Sequence, residues 1–205
     1  MPGLQLHTEA FVLRRTPPSD RFQQYTVLSA DHGQLLCLRR LASRASTPSV
    51  ALDLFDEADL WLESSNQGRT WFIKEARLLV RHDAIGRSYD ALRLASTFAG
   101  VIARNPGDDD GRAGVCALLR QTLTAFGVAD RPDIVYFKAL YCFARDEGYP
   151  VKQEWWQDLP SSDRPAVAGL LNQPLAAQTA AAPAVARLTL RLEEYLRTHT
   201  EILLE

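Results

Sequence analysis

Residues 9–50, EAFVLRRTPPSDRFQQYTVLSADHGQLLCLRRLASRASTPSV, restrict the fold more than any other stretch of the chain. Three short apolar runs in it alternate with a period of two. Phe11 and Leu13 alternate with Val12, and Arg14-Arg15 follow. Tyr25 and Val27 alternate with Thr26 and Leu28. Leu35, Cys37 and Arg39 alternate with Leu36, Leu38 and Arg40. Successive side chains of an extended chain point to opposite faces, so each run predicts a strand. Asp31-His32-Gly33 between the second and third predicts a hairpin turn. Arginines then gather at strand ends beside a Ser/Pro/Ala-rich stretch, a pattern suited to a phosphate-facing surface.

Two more strands are predicted downstream. Within Phe55–Ser65, Ala58, Leu60 and Leu62 alternate with Asp59, Trp61 and Glu63. Asn66-Gln67-Gly68 makes a turn, and Thr70–Leu79 mixes Trp71, Phe72, Ile73 and Lys74. Five strands with no helix of any length suit a small closed β-barrel such as the OB-fold. Closure leaves few strand edges to pair with other chains.

After Arg81 the period changes from two to 3.6. Asp83 is the expected N-cap of a first helix carrying Ile85, Tyr89, Leu92, Ala95, Ala99 and Ile102, ended by Asn105-Pro106-Gly107. A second helix is expected over 111–126, with Val115, Leu118, Leu119 and Leu123 inward and Gly127 as the stop. A third begins at Asp130-Arg131-Pro132, with Asp130 as cap, and buries Ile134, Phe137, Tyr141 and Ala144 before Gly148-Tyr149-Pro150. Helices resume over 161–172 and 183–204, the last carrying Val185, Leu188, Leu192, Tyr195, Leu196, His199 and Leu203. The expected architecture is α+β with two domains: a five-stranded OB-fold barrel over 1–80, then an α-helical bundle over 81–205.

At 205 residues the chain is long enough for a substantial core, and 46% hydrophobic with 23% charged residues is ordinary globular composition. No apolar run approaches the roughly 20 residues of a bilayer span, and MPGLQLHTEA does not read as a secretion signal, so cytoplasm is the expected location. Cys37, Cys116 and Cys142 lie far apart within apolar patterns, without a C-x-x-C pair, and are expected to be reduced and buried. The net charge of −2 means that any affinity for a polyanion must come from a local patch.

Charge is segregated in the strand-rich half. Arg14, Arg15, Arg21, Arg39, Arg40 and Arg44 precede residue 50, whereas Asp53, Asp56, Glu57, Asp59 and Glu63 follow without a base until Arg69. Taken from composition, the arginines fit a solvated face of any soluble barrel better than a nucleic-acid surface. Tyr25, Trp61 and Trp71 are candidate base-stacking platforms, but aromatics are common on half-buried strands and packing is the favoured role for each.

In order and spacing, Ala10-Phe11-Val12-Leu13-Arg14, Ser19-Asp20-Arg21, His32-Gly33-Gln34, Leu38-Arg39 and the Arg/Ser-rich tail to Ser46 resemble the start of the RecO family of bacterial DNA-repair recombination mediators. The helical half is similar in order and length of elements, with Gly148-Tyr149-Pro150 where many members have Gly-Tyr-x-Pro before a four-cysteine zinc motif. Those cysteines are missing here, so the chain looks like a short, zinc-free form with no cofactor. The resemblance tips the arginine question toward DNA. It implies single-stranded DNA binding and annealing, assistance in recombinase loading with a RecR-like partner, and recognition of the C-terminal tail of single-strand-binding protein by an apolar groove with a basic rim. It implies nucleoid association, no membrane partner and no chemical step, with Arg14, Arg15, Arg21, Arg39, Arg40 and Arg44 holding the DNA backbone. Arginine suits that role because its fork pairs with phosphate and its plane stacks.

The chain also departs from that pattern. Arg40 stands where relatives carry glycine after the third strand, and Thr47–Leu52 lacks their basic residues and runs into Asp53 and Asp56. Weaker DNA binding than in typical members is therefore expected. These departures, with the acidic run, favour the alternative of an interaction scaffold that has lost DNA binding and acts through its helices.

Other chemistry has less support. Asp108-Asp109-Asp110-Gly111 lacks the alternating ligands and distal glutamate of a calcium loop and reads as a solvated, capping loop. His7, His32, His82 and His199 are scattered without metal-ligand spacing, and no nucleophile-elbow, P-loop or dinucleotide motif occurs. Trp155-Trp156 reads as a plug for the space of the missing zinc module, or else as a partner-binding knob.

Overall fold

A computed structural model describes residues 3–19, 21–41, 50–64 and 66–204. Five strands come first: β1 (Leu4–Arg15), β2 (Phe22–Ser29), β3 (Gly33–Arg40), β4 (Glu57–Ser64) and β5 (Trp71–Val80). Antiparallel pairing joins β1 to β2, β2 to β3, β1 to β4 and β4 to β5, and a short parallel ladder joins β3 to β5. The order β1-β2-β3-β5-β4 closes on itself. The alternation seen in the sequence supplies the enclosed core: Ala10, Val12, Tyr25, Val27, Leu35, Cys37, Ala58, Leu60, Leu62 and Trp71 share one cluster, joined by Leu52 from the connection before β4. Gly33 opens β3 at φ 68°, in the left-handed region that glycine adopts most easily.

The remaining elements are helical: a 3-10 turn over Asp83–Arg87, then α1 (Tyr89–Arg104), α2 (Arg112–Val128), α3 (Pro132–Asp146), the short α4 (Trp155–Asp158), α5 (Arg164–Asn172) and α6 (Ala182–His199). The chain divides into two compact units, one holding residues to His82 with Pro106–Cys116, the other Asp83–Asn105 with Ala117 onward. In the second unit α3 packs against α1, α5 and α6. Phe98 and Phe143 meet edge to face with centroids 6.5 Å apart.

Several helix boundaries differ from expectation. Ser88, not Asp83, caps α1: its hydroxyl accepts from the Ala91 N–H at 3.3 Å, while Asp83 opens the preceding 3-10 turn. Tyr89 and Leu92 are exposed, and α1 buries Leu94, Ala95, Phe98, Ala99, Val101 and Ile102. Gly127 lies inside α2 rather than ending it. Arg131, not Asp130, is the residue before the first turn of α3, with Pro132 opening the helix. The last helix ends at His199, and Leu203 lies exposed beyond it.

Cys37 and Cys116 are buried and Cys142 is half-buried, all as free thiols. Burial pushes the Cys37 thiol up to about 12. Trp155 packs on Phe137 and Tyr141 in the helical core, and Trp156 is half-buried. Among the described residues no helix is long and apolar enough to cross a membrane.

Candidate nucleic-acid interface

A β-bulge decides where the first two arginines point. Val12 pairs with Val27, but Arg14 pairs with Thr26 and Arg15 with Tyr25, so β1 carries one extra residue between Val12 and Arg14. Strict alternation from Val12 would have sent Arg14 inward. With the bulge, Arg15 continues the row of the enclosed core and Arg14 joins the exterior row with Thr26. On β3, Arg39 follows Leu35 and Cys37 along the inner row, while Arg40 follows Leu36 and Leu38 along the outer one.

The five of the six arginines that lie among the described residues fall into two groups. Arg14 and Arg40 lie on the exterior of β1 and β3, and Arg21 is exposed just before β2. Arg15 and Arg39 end the inner rows of β1 and β3, Arg15 paired with Tyr25 and Arg39 with Gln23 of the intervening β2. Arg44 lies outside the described residues, as does the rest of 42–49.

The two groups differ in chemistry. Among the described residues, none gives the side chains of Arg14, Arg21 or Arg40 a carboxylate or other hydrogen-bond acceptor. Arg15, by contrast, donates from Nη1 to Asp53 Oδ1 at 3.0 Å, and Arg39 donates from Nη1 to the Val50 carbonyl. Burial pushes the Tyr25 hydroxyl above its ordinary value, the Arg39 and Arg15 guanidinium groups pull it back, and the Asp53 carboxylate adds to the rise. The Tyr25 hydroxyl donates to the Leu52 carbonyl at 3.4 Å.

The exterior group has aromatic company that the sequence reading missed. Phe22 pairs in register with Arg40, and Phe72 sits beside Leu38. The two rings lie 5.9 Å apart, tilted by 59°, and both are half-buried. Their signal was present: each sits one position out of phase with a buried residue, Gln23 or Trp71. Tyr25 and Trp71 are buried because they fall on the inner rows, which is the packing role expected of them. Trp61 is half-buried on β4, stacked on His7 at a centroid distance of 4.3 Å. Its surroundings are acidic, with Glu75 paired opposite it, Glu63 two residues on, and Asp59 held by His7 and Arg77.

The helical unit carries a separate groove of about 390 Å³. Trp155, Leu159 and Tyr195 supply its apolar part, and Arg191 and His199 its basic rim. Asp158 and Glu194 also line it, so the rim is mixed in sign. Among the described residues, no group of three or more His, Cys, Asp or Glu side chains is placed to hold a metal ion.

No protein-family model matches the chain, and no curated protein matches its sequence.

Proposed function

We propose that the protein is a RecO-like recombination mediator whose closed sheet is an OB-fold barrel that takes single-stranded DNA across the exterior of β2 and β3. The observation that carries this reading is the Phe22–Phe72 ring pair beside Arg40, with Arg14 on the same exterior and Arg21 next to Phe22 in sequence. Single strands offer phosphates to cations and unstacked bases to aromatic faces, and the β2–β3 exterior is where OB-folds receive oligonucleotides. The strand order β1-β2-β3-β5-β4 supports the OB assignment. Function is capture and handover without a chemical step, with a RecR-like protein and single-strand-binding protein as partners in the cytoplasm. The groove at Trp155, Leu159 and Tyr195 is the proposed seat for the acidic, apolar tail of the latter, through Arg191 and His199.

A second reading is favoured by the Asp53 carboxylate on Arg15 and the Val50 carbonyl on Arg39. With those cations committed internally, the protein would be an interaction scaffold that has given up DNA. Fluorescence anisotropy of a labelled oligothymidine separates the two. The mediator reading expects binding at low salt that Phe22→Leu and Arg40→Ala each weaken. Absence of binding by the natural sequence at low salt would leave only the scaffold.

A further inference from the structure

We infer that Asp53 is an internal stand-in for the phosphodiester: it occupies Arg15, and a bound strand must displace it before that arginine joins the interface. The inference rests on the DNA-binding reading above.

The backbone around Asp53 is firmly held. Leu52 is buried in the core of the closed sheet. The Ala51 carbonyl accepts from Arg81 Nη2 at 2.7 Å, the Asp53 N–H donates to Asp56 Oδ2 at 2.7 Å, and the Phe55 N–H donates to the Val12 carbonyl at 2.9 Å. The Asp53 side chain is tethered far less. It is 62% exposed, and among the described residues its Oδ1 accepts, besides Arg15, only from the adjacent Leu54 N–H, at 2.8 Å. Rotation of one side chain therefore uncovers Arg15 without disturbing the fold.

A carboxylate and a phosphate compete for the same guanidinium donors. Exposed ion pairs are weak and screened by salt, so a multiply charged strand displaces this one at modest cost. Arg14 and Arg15 are neighbours on opposite faces by strand alternation, and the bulge before them turns Arg14 outward and Arg15 inward. A strand crossing the rim of the sheet at this point meets Arg14 without competition and Arg15 only after Asp53 withdraws. Asp53 thereby lowers affinity and reduces the number of counterions that binding releases.

Asp53→Asn removes the charge and keeps an oxygen for the Leu54 N–H, and Asp53→Ser serves if the amide variant does not fold. The probe is a labelled oligothymidine, titrated at two salt concentrations against the natural sequence, Asp53→Asn, Arg15→Ala and the double variant. The expected result is about two- to five-fold tighter binding for Asp53→Asn at low salt. Its salt dependence should be steeper, and the gain should vanish in the Arg15→Ala background. Unchanged affinity in Asp53→Asn overturns the inference while the DNA-binding reading stands. A gain that persists without Arg15 overturns it too, since general charge reduction then explains the effect. Failure of every variant to bind ends the DNA-binding reading and this inference with it.

Discussion

Arg81 grips Asp56 with a two-pronged fork: Nε donates to Oδ1 at 3.0 Å and Nη2 to Oδ2 at 2.7 Å. The Asp56 side chain is only 1% exposed, and its Oδ2 also accepts from the Asp53 N–H. One buried carboxylate thus ties the end of β5 to the connection before β4, and so fixes the backbone that presents Asp53. Removing Arg81 strands that charge. Arg81→Ala should cost about 3 kcal/mol, the low end for a broken buried pair because the arginine is partly exposed. Urea denaturation measures it, and a loss below about 1 kcal/mol would contradict the structural role.

The α1 cap gives a paired prediction. Ser88→Ala removes the acceptor for the Ala91 N–H and should cost about 1 kcal/mol. Asp83→Ala should stay within about 0.5 kcal/mol, the range of surface changes away from such features. Denaturation midpoints of the two variants should rank in that order. Equal losses would restore Asp83 as the cap.

Phe98 is fully buried against Phe143 in the helical core. Phe98→Ala should cost about 3–5 kcal/mol through lost burial and the cavity left behind. Thermal unfolding followed by circular dichroism reports it, and tolerance of the change would mean that α1 and α3 are not packed as described.

His82 makes stability depend on pH. Its Nε2 is buried with no hydrogen-bond partner among the described residues. Burial lowers its pKa from the ordinary 6.5, outweighing the opposite pull of the Glu57 and Asp56 carboxylates. The unfolded chain therefore binds this proton more readily than the folded one. The His82 contribution is complete above about pH 6.5, is lost as pH falls from there to the depressed folded pKa, and levels off below it. Urea midpoints at pH 7.5 and 5.5 should differ more for the natural sequence than for His82→Gln. An equal difference would remove His82 as the cause.

Period-two runs made the strands and the inner rows legible from the sequence, because burial on one face imprints alternation directly. Ala58, Leu60 and Leu62 fell on the inner row as that rule requires. The facing of Arg14 and Arg15 was not legible, because one inserted residue inverts the phase and leaves no mark in composition. The Phe22–Phe72 pair was not legible either, because alternation puts each ring on an outer row but does not show that the two meet across strands. Among the helices, the long apolar stripe of α3 was readable. The cap of α1 was not, because Asp83 and Ser88 both offer a side-chain acceptor and only packing chooses between them.

The most direct test of the account is the salt dependence of single-strand binding at the β2–β3 exterior. Anisotropy titrations of a labelled oligothymidine over a series of salt concentrations should give a linear fall of log affinity with log salt. Arg40→Ala should lose affinity and flatten that slope by about 0.7, the share of one phosphate contact on a single strand. An Arg40→Ala slope and affinity identical to those of the natural sequence, or binding indifferent to salt, would contradict it.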